Sequence, residues 1–443
     1  MNDQDLLAAV LAAAKRAGAD AADAVLAERR LLDVQWRQGS LESLERKDGF
    51  ELGVRVLVGR RVATAATNRT ERAEIEALVE DAVAAARLLP EDAWAGLAEP
   101  GELATARPEL DLVDPGEPTV EALSEAAAAA EDAARGVLGV TNTAGANASW
   151  SFSRVTIAAS NGFFGSQART RHGIGVSAVA GSGTAMQRDY EHRQATHRAD
   201  LPSPEEIGRR AGERAVRRLD PRKLATARMP VVYEPRAAAG LLRHLASAIN
   251  GEAVASGRSF LKDRLGQRVL AEGITVVDDP LRPRGLASRA FDGEGIAARR
   301  RAIVDDGVLT TWLLDLASAR RLGLRSTGHA SRGGATLGSP SPTNLALEPG
   351  PLEPERLIAD IREGFYVTEM MGMGVNLVTG DYSRGAAGFR IVNGELAEAV
   401  DEVTVAGNLA DMLARLVPAS DLEIRGSVDA PTVRIDGLTV AGR

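Results

Sequence analysis

Of the side chains that most often act as bases, nucleophiles or metal ligands, histidine occurs five times in this chain and cysteine not at all. His172, His192, His197, His244 and His329 are therefore the candidates for a general base or a ligand near neutral pH. The lack of Cys removes disulfides, iron–sulfur ligation, thiol nucleophiles and every Cys-containing zinc site. His192 and His197 stand beside Asp189, Glu191 and Asp200. Their spacing of five points them to opposite faces of a strand, and on a helix it would separate them by about 140°. His172 and His329 lie in Gly-rich surroundings, where a single imidazole usually bonds a backbone group. His244 sits within the apolar run from Gly240 to Ile249, and Ser247, on a neighbouring helical face, is the hydroxyl closest to it in sequence.

Other chemistries lack their sequence signatures. There is no G-x-G-x-x-G, Walker A, EF-hand or G-x-S-x-G pattern, so phosphate cradles and strained nucleophile turns have no support. The segment Gly372-Met373-Gly374-Val375 lacks the third Gly of a dinucleotide fingerprint and reads as close strand packing. With 53 Lys and Arg against 61 Asp and Glu, the formal charge of −8 argues against a dominant nucleic-acid surface. The Arg clusters Arg209 to Lys223 and Arg299 to Arg301 read as a solvated helix face and a hairpin strand. An acidic start from Met1 to Asp5 and interrupted apolar stretches predict neither signal peptide nor membrane span, hence a cytoplasmic protein.

The elements that must hold these residues are of both kinds. At 443 residues, 44% apolar, with 45 Gly and only 4% aromatic residues, the chain can fill two or three aliphatic cores. A helix ends near Gly18, and Phe50, Leu52, Val54, Val56 and Val58 alternate as a strand entered through an Asp48-Gly49 turn. Ile75 to Ala86 forms a helical stripe with Thr70 as its N-cap. Prolines and acidic residues from Pro90 to Pro118 predict a long extended loop, and a helix follows from about Thr119 to Arg135. Asn161-Gly162 marks a hairpin, and Ser203-Pro204-Glu205-Glu206 opens a helix through Leu219 with a capping box. A break at Asp220-Pro221 gives domains 1–220 and 221–443. The second half opens with a strand, Met229 to Tyr233, and a helix from Pro235 closing at Asn250-Gly251. An Asp306-Gly307 hairpin follows, then a meander from Phe365 to Val405. Without regular βαβ repetition the expected class is α+β, with two domains of antiparallel-rich sheets and flanking helices.

The strand and helix around His244 resemble those of the TldD/PmbA family. The likeness extends through Ser160-Asn161-Gly162-Phe163, Met186-Gln187-Arg188-Asp189-Tyr190, Phe291-Asp292-Gly293-Glu294-Gly295, Ser326-Thr327-Gly328-His329-Ala330 and Val367-Thr368-Glu369-Met370-Met371-Gly372. It continues from Val378 to Phe389 and through Ala406-Gly407-Asn408-Leu409. These stretches read as turns and packed strands without catalytic groups of their own.

The family resemblance implies a two-part zinc peptidase acting on unfolded or small peptides, including peptide-antibiotic precursors. Its TldD-type subunit carries His-Glu-x-x-x-His on this helix, and its PmbA (TldE)-type subunit does not. Here His244 matches the first His, while Leu245 and Ile249 stand where the Glu and second His belong. Zinc peptidases need several ligands and a carboxylate that moves a proton. The resemblance therefore implies a chain with no metal or cofactor of its own and no catalytic residue, working with a zinc-bearing TldD-type subunit on a peptide substrate. His244 would be a partly buried imidazole satisfied by hydrogen bonds. A homodimer is expected in the partner's absence. Two alternatives remain: a self-sufficient, metal-independent hydrolase built on His244 and Ser247, and a non-enzymatic regulatory protein, after the family's label as a modulator of DNA gyrase, without direct DNA binding.

Overall fold

The computed structural model describes residues 2–442. Helix α1 (Asp3–Ala17) begins at Asn2, whose side chain accepts the Asp5 amide, and stops at Gly18 in the left-handed region. Three antiparallel strands follow, β1 (Ala21–Arg37), β2 (Ser40–Val58) and β3 (Arg61–Thr67), then helix α2 (Arg72–Leu88). The Pro-rich segment leads to α3 (Val120–Arg135), capped by Thr119. A second meander, β4 (Val140–Ala159), β5 (Phe164–Ala180) and β6 (Gln187–Ala195), is followed by α4 (Pro204–Arg217), where Ser203 accepts the Glu206 amide.

These strands form one sheet in the order β3-β2-β1-β4-β5-β6. Side-chain alternation along β1 fixes its two faces. Ala22, Ala24 and Leu26 pack with Leu7 and Val10 of α1 and Ile75 and Val79 of α2. Leu32 and Val34, on the same parity, pack with Leu123 of α3 and Ile207 of α4. All four helices therefore cover one face. The opposite parity carries Asp23 and Val25, and Val25 packs with Phe291 from the second half of the chain.

The second half begins with β7 (Ala227–Tyr233), α5 (Pro235–Ala248) and α6 (Gly251–Ala255). Short strands follow: β8 (Val276–Asp278), β9 (Arg301–Asp305), β10 (Val308–Leu309), the pair β11 (Ser331–Arg332) and β12 (Leu337–Gly338), and β13 (Leu345–Leu347). Longer ones come next, β14 (Glu363–Met371), β15 (Asp381–Val392) and β16 (Glu395–Asn408), then β17 (Val417–Pro418), β18 (Val428–Asp429) and β19 (Val433–Ala441). One sheet runs β10-β9-β8-β13-β18 and another β16-β15-β14-β7-β19-β17. Because β16 also pairs with β19, five strands of the latter close on themselves, which removes most of its free edges. Among the described residues the named strands pair in parallel at β7–β14 and β13–β18, so the architecture is antiparallel-rich α+β.

Several local expectations need correction. Asp48-Gly49 is no turn: β2 runs straight through it, and the β1–β2 reversal is at Gln38-Gly39, with φ of 52° and 75°. The N-cap of α2 is Glu71 without a side-chain bond, not Thr70. Helix α5 stops at Ile249, and Asn250 caps α6 instead, accepting the Glu252 and Ala253 amides. Nor is the Arg-rich face of α4 wholly solvated. Arg214 pairs with the fully buried Glu191, which also takes Arg193 and Arg425, and the buried Arg218 pairs with Glu369.

Candidate functional site

Helix α5 starts at Pro235, a residue suited to the first helical turn, directly after the buried strand β7. Its apolar stripe, Leu241, Leu242, Leu245 and Ile249, lies in the main core of the second half, with Leu245 1% and Ile249 0% exposed. His244 is half-buried, edge-on to the Tyr382 ring with centroids 6.0 Å apart. Its Nε2 is buried without a hydrogen-bond partner, contrary to the expected satisfied imidazole. Burial, followed by the nearby Arg384 and Arg243, holds its pKa below the ordinary histidine range. The Ser247 hydroxyl donates to the Arg243 carbonyl at 2.9 Å, so the structure forms no His244–Ser247 pair.

The other histidines divide differently from their sequence grouping. His192 is exposed on β6, away from the buried His197. Instead His197 and His172 come together on the Pro-rich segment. His172 Nε2 lies 3.1 Å from Asp114 Oδ2, and His197 Nε2 is 2.9 Å from the Asp111 carbonyl. Arg284 reaches the same segment through Asp111, at 2.6 Å. These contacts fasten the 90–118 connection to the sheet. His329 resembles the middle of an acid–imidazole–hydroxyl relay, with Nε2 3.1 Å from Asp278 Oδ2 and Nδ1 2.8 Å from Thr327 Oγ1. Yet the buried Thr327 oxygen also accepts the Leu314 amide at 2.7 Å and lies 3.3 Å from the Trp312 and Leu314 carbonyls. A nucleophile must reach its substrate, and this hydroxyl is committed to the interior. The three groups pin β8 to the 327–330 segment.

A different charged centre lies where the second half docks on the bare face of the sheet. Asp23 of β1 and Arg55 of β2 are directly opposite in register, 2.6 Å apart, and Arg332 completes the buried pair at 2.6 Å from the other Asp23 oxygen. Burial opposes ionisation of Asp23, but the Arg55 and Arg332 guanidiniums outweigh it and hold its pKa below the usual range. Beside them, Asp292 accepts the amides of Glu294, Ile296 and Ala330, and Glu294 accepts the Leu316 amide at 2.8 Å. Burial, reinforced by the Asp292 charge, pushes the Glu294 carboxyl up to about 8. Arg55, Glu294 and Asp315 line a cleft of about 450 Å³ with Trp94 and Arg321. A carboxyl that keeps its proton at neutral pH can donate a hydrogen bond or a proton there. The sequence shows Asp292 and Glu294 only as part of a Gly-rich turn, because their burial comes from a strand pair some 240 residues upstream.

Comparison with known proteins accounts for the whole length. Residues 22–86 match the family model described as PmbA/TldA metallopeptidase domain 1, 113–219 the central domain and 226–442 the C-terminal domain. The chain is 36% identical over 426 residues to "Metalloprotease PmbA" of Escherichia coli O157:H7, covering 96% of this chain and 93% of that one. The chain belongs to the PmbA/TldD metallopeptidase family. A PmbA homologue from Haemophilus influenzae is 34% identical, with 99% and 97% covered. A solved structure from Bacteroides thetaiotaomicron, a candidate modulator of DNA gyrase, superposes with TM-score 0.91 at 28% identity, covering 100% of this chain and 99% of that one. TldE from Thermococcus kodakarensis shares the fold, with TM-score 0.87 at 21% identity and 99% and 100% covered.

Membership in this metallopeptidase family raises the question of a metal on α5. The residues there do not fit zinc. Leu245 and Ile249 have no donor atoms and fill the core, which leaves the single free nitrogen of His244, whereas zinc needs three or four protein ligands. Arg243 and Arg384, which disfavour a proton on His244, disfavour a cation for the same reason. Among the described residues no three His, Cys, Asp or Glu side chains are placed to share an ion.

Proposed function

We propose that this PmbA/TldD-family chain is the metal-free, non-catalytic subunit of a two-part zinc peptidase that degrades or processes unfolded or small peptides. The observation that carries the reading is α5, where the positions for a base and a second ligand hold Leu245 and Ile249, fully buried in the core. A chain so built contributes shape and binding surface, and its zinc-bearing TldD-type partner contributes the chemistry. Among the described residues no helix is long and apolar enough to cross a membrane, and the proposed setting is the cytoplasm.

The outer edge of β2 supports a role in association. Strand β3 pairs only with Leu52 to Val58, so Ser40 to Glu51 keeps one backbone edge without a strand partner among the described residues. Leu41, Leu44 and Phe50 are exposed along it, between 38% and 47%. Such an edge can take an added strand from a partner subunit, a second copy or an extended peptide. The test is reconstitution. The purified chain should show no peptidase activity alone and should restore activity to an inactive TldD-type chain. Absence of any association with such a chain would overturn the reading.

A further inference from the structure

A second cleft, of about 330 Å³, opens between the bare face of the sheet and the 287–293 and 331–333 segments. Its charged lining is four guanidiniums, Arg29, Arg169, Arg289 and Arg332, against one carboxylate, Asp292. How these groups spend their hydrogen bonds decides the net field. Arg169 donates to the Leu286 and Ser288 carbonyls at 2.8 and 2.7 Å, Arg289 to the Ala330 and Gly328 carbonyls at 3.1 and 3.3 Å, and Arg29 to the Gly333 carbonyl at 2.8 Å. Carbonyl oxygens satisfy the N–H groups without cancelling their charge. Asp292 is meanwhile taken up by three backbone amides, and Asp23, the carboxylate on Arg332, is shared with Arg55.

Two donors are left over. Arg332 Nη1 and Arg289 Nε are buried with no hydrogen-bond partner, and the Arg332 side chain is 1% exposed. Buried donors of this kind are normally satisfied. Like charges are crowded as well: burial first, then Arg171 and Arg289, push the Arg169 pKa down to about 10. An oxyanion in the cleft would supply the negative charge that these crowded guanidiniums lack. Val155, Ile157, Phe291 and Pro342 give the wall an apolar part, beside the polar Ser153, Gln167, Ser331 and Ser341. The occupant should therefore carry an oxyanion on a compact apolar body, which describes the last residue of a peptide better than it does inorganic phosphate.

We propose that this cleft binds the C-terminal carboxylate of a peptide whose last side chain is apolar. The choice of a peptide rests on the peptidase-subunit reading, whereas the preference for an oxyanion rests on the cleft alone. The experiment uses the full chain without any partner, and titrates it calorimetrically with N-acetyl-Ala-Ala-Leu as the free acid, with the same peptide as its C-terminal amide, and with sulfate. The acid is expected to bind at least about tenfold tighter than the amide and to weaken with added salt, as a charge-assisted contact does. Arg289→Gln, which removes one of the four positive charges around the cleft, should reduce binding by about tenfold. Because that side chain is largely buried, Arg29→Gln at the exposed rim serves as a second variant, with a smaller loss in the same direction and an unchanged melting temperature. Equal binding of acid and amide, binding of sulfate without the peptide acid, or wild-type affinity in both variants would overturn the proposal. Failure of reconstitution with a TldD-type chain would leave this result intact, and failure here would leave the subunit reading intact.

Discussion

Glu294 offers a prediction whose size follows from its surroundings. Its carboxyl is pushed from an ordinary 4.5 up to about 8 by burial and by Asp292. The folded chain therefore holds a proton that the unfolded chain releases. For such a raised pKa the stabilising contribution is complete below about pH 4.5 and is lost as pH rises through about 8, because the unfolded state is the better proton donor throughout that window. Integrating between pH 6 and pH 9 gives a loss of about 3 kcal/mol, shared with the Asp292 carboxyl to which Glu294 is coupled. At roughly 2.1 cal/mol/K of unfolding entropy per residue, that corresponds to about 3 °C in melting temperature for a chain of this size. Glu294→Gln keeps the shape and the acceptor for the Leu316 amide but cannot ionise. Calorimetric melting of both proteins at pH 6 and pH 9 reads the titration of the coupled Asp292–Glu294 pair, since the titrating groups outside it are common to both. The variant should gain about 3 °C on the wild type over that interval. A wild-type–variant gap that is the same at both pH values would refute the reasoning.

Two further substitutions test the packing. Gly388→Ala would place its Cβ 1.8 Å from the Tyr366 carbonyl oxygen and should strongly destabilise the β14–β15 pairing. Gly240→Ala in α5, where the nearest atom is 4.0 Å away, should instead raise stability by about 0.5–1 kcal/mol through helix propensity, and urea denaturation compares the two directly. Glu131→Gln should lower the melting temperature, because this fully buried carboxylate accepts the Gln38 and Gly39 amides at 2.9 Å each, as well as the Thr143 hydroxyl. Leaving one of those amides without its carboxylate acceptor costs about 1–3 kcal/mol.

The Glu131 contact also explains what could and could not be read from the sequence. Hairpins whose turn chemistry is local were legible: Asn161-Gly162 between β4 and β5, and Asp306-Gly307 with φ of 47° and 77° between β9 and β10. The Ser203 cap of α4 and the Thr119 cap of α3 were legible for the same reason. Asp48-Gly49 has the same local chemistry, yet the chain reverses at Gln38-Gly39, where a carboxylate 92 residues away waits for its amides. A local pattern cannot reveal that partner. The candidate site divides in the same way. The burial of Leu245 and Ile249 was legible, because it follows from the apolar stripe of α5. The Asp23–Arg55–Arg332 centre, the raised carboxyl of Glu294 and the arginine cleft are assembled from β1, β2, β5, β11 and loops beyond residue 286. In sequence each is one more charged residue in a chain that is 26% charged.

The central claim is that α5 carries the place of a zinc site without the means to hold the ion. The most direct measurement is the zinc content of the purified chain by elemental analysis, after incubation with equimolar zinc and removal of loosely bound ion. The account predicts a stoichiometry near zero for the chain alone, with zinc appearing only in its complex with a TldD-type subunit. Retention of about one zinc per isolated chain, lost on His244→Ala, would mean that a full ligand set forms around that imidazole and would contradict it.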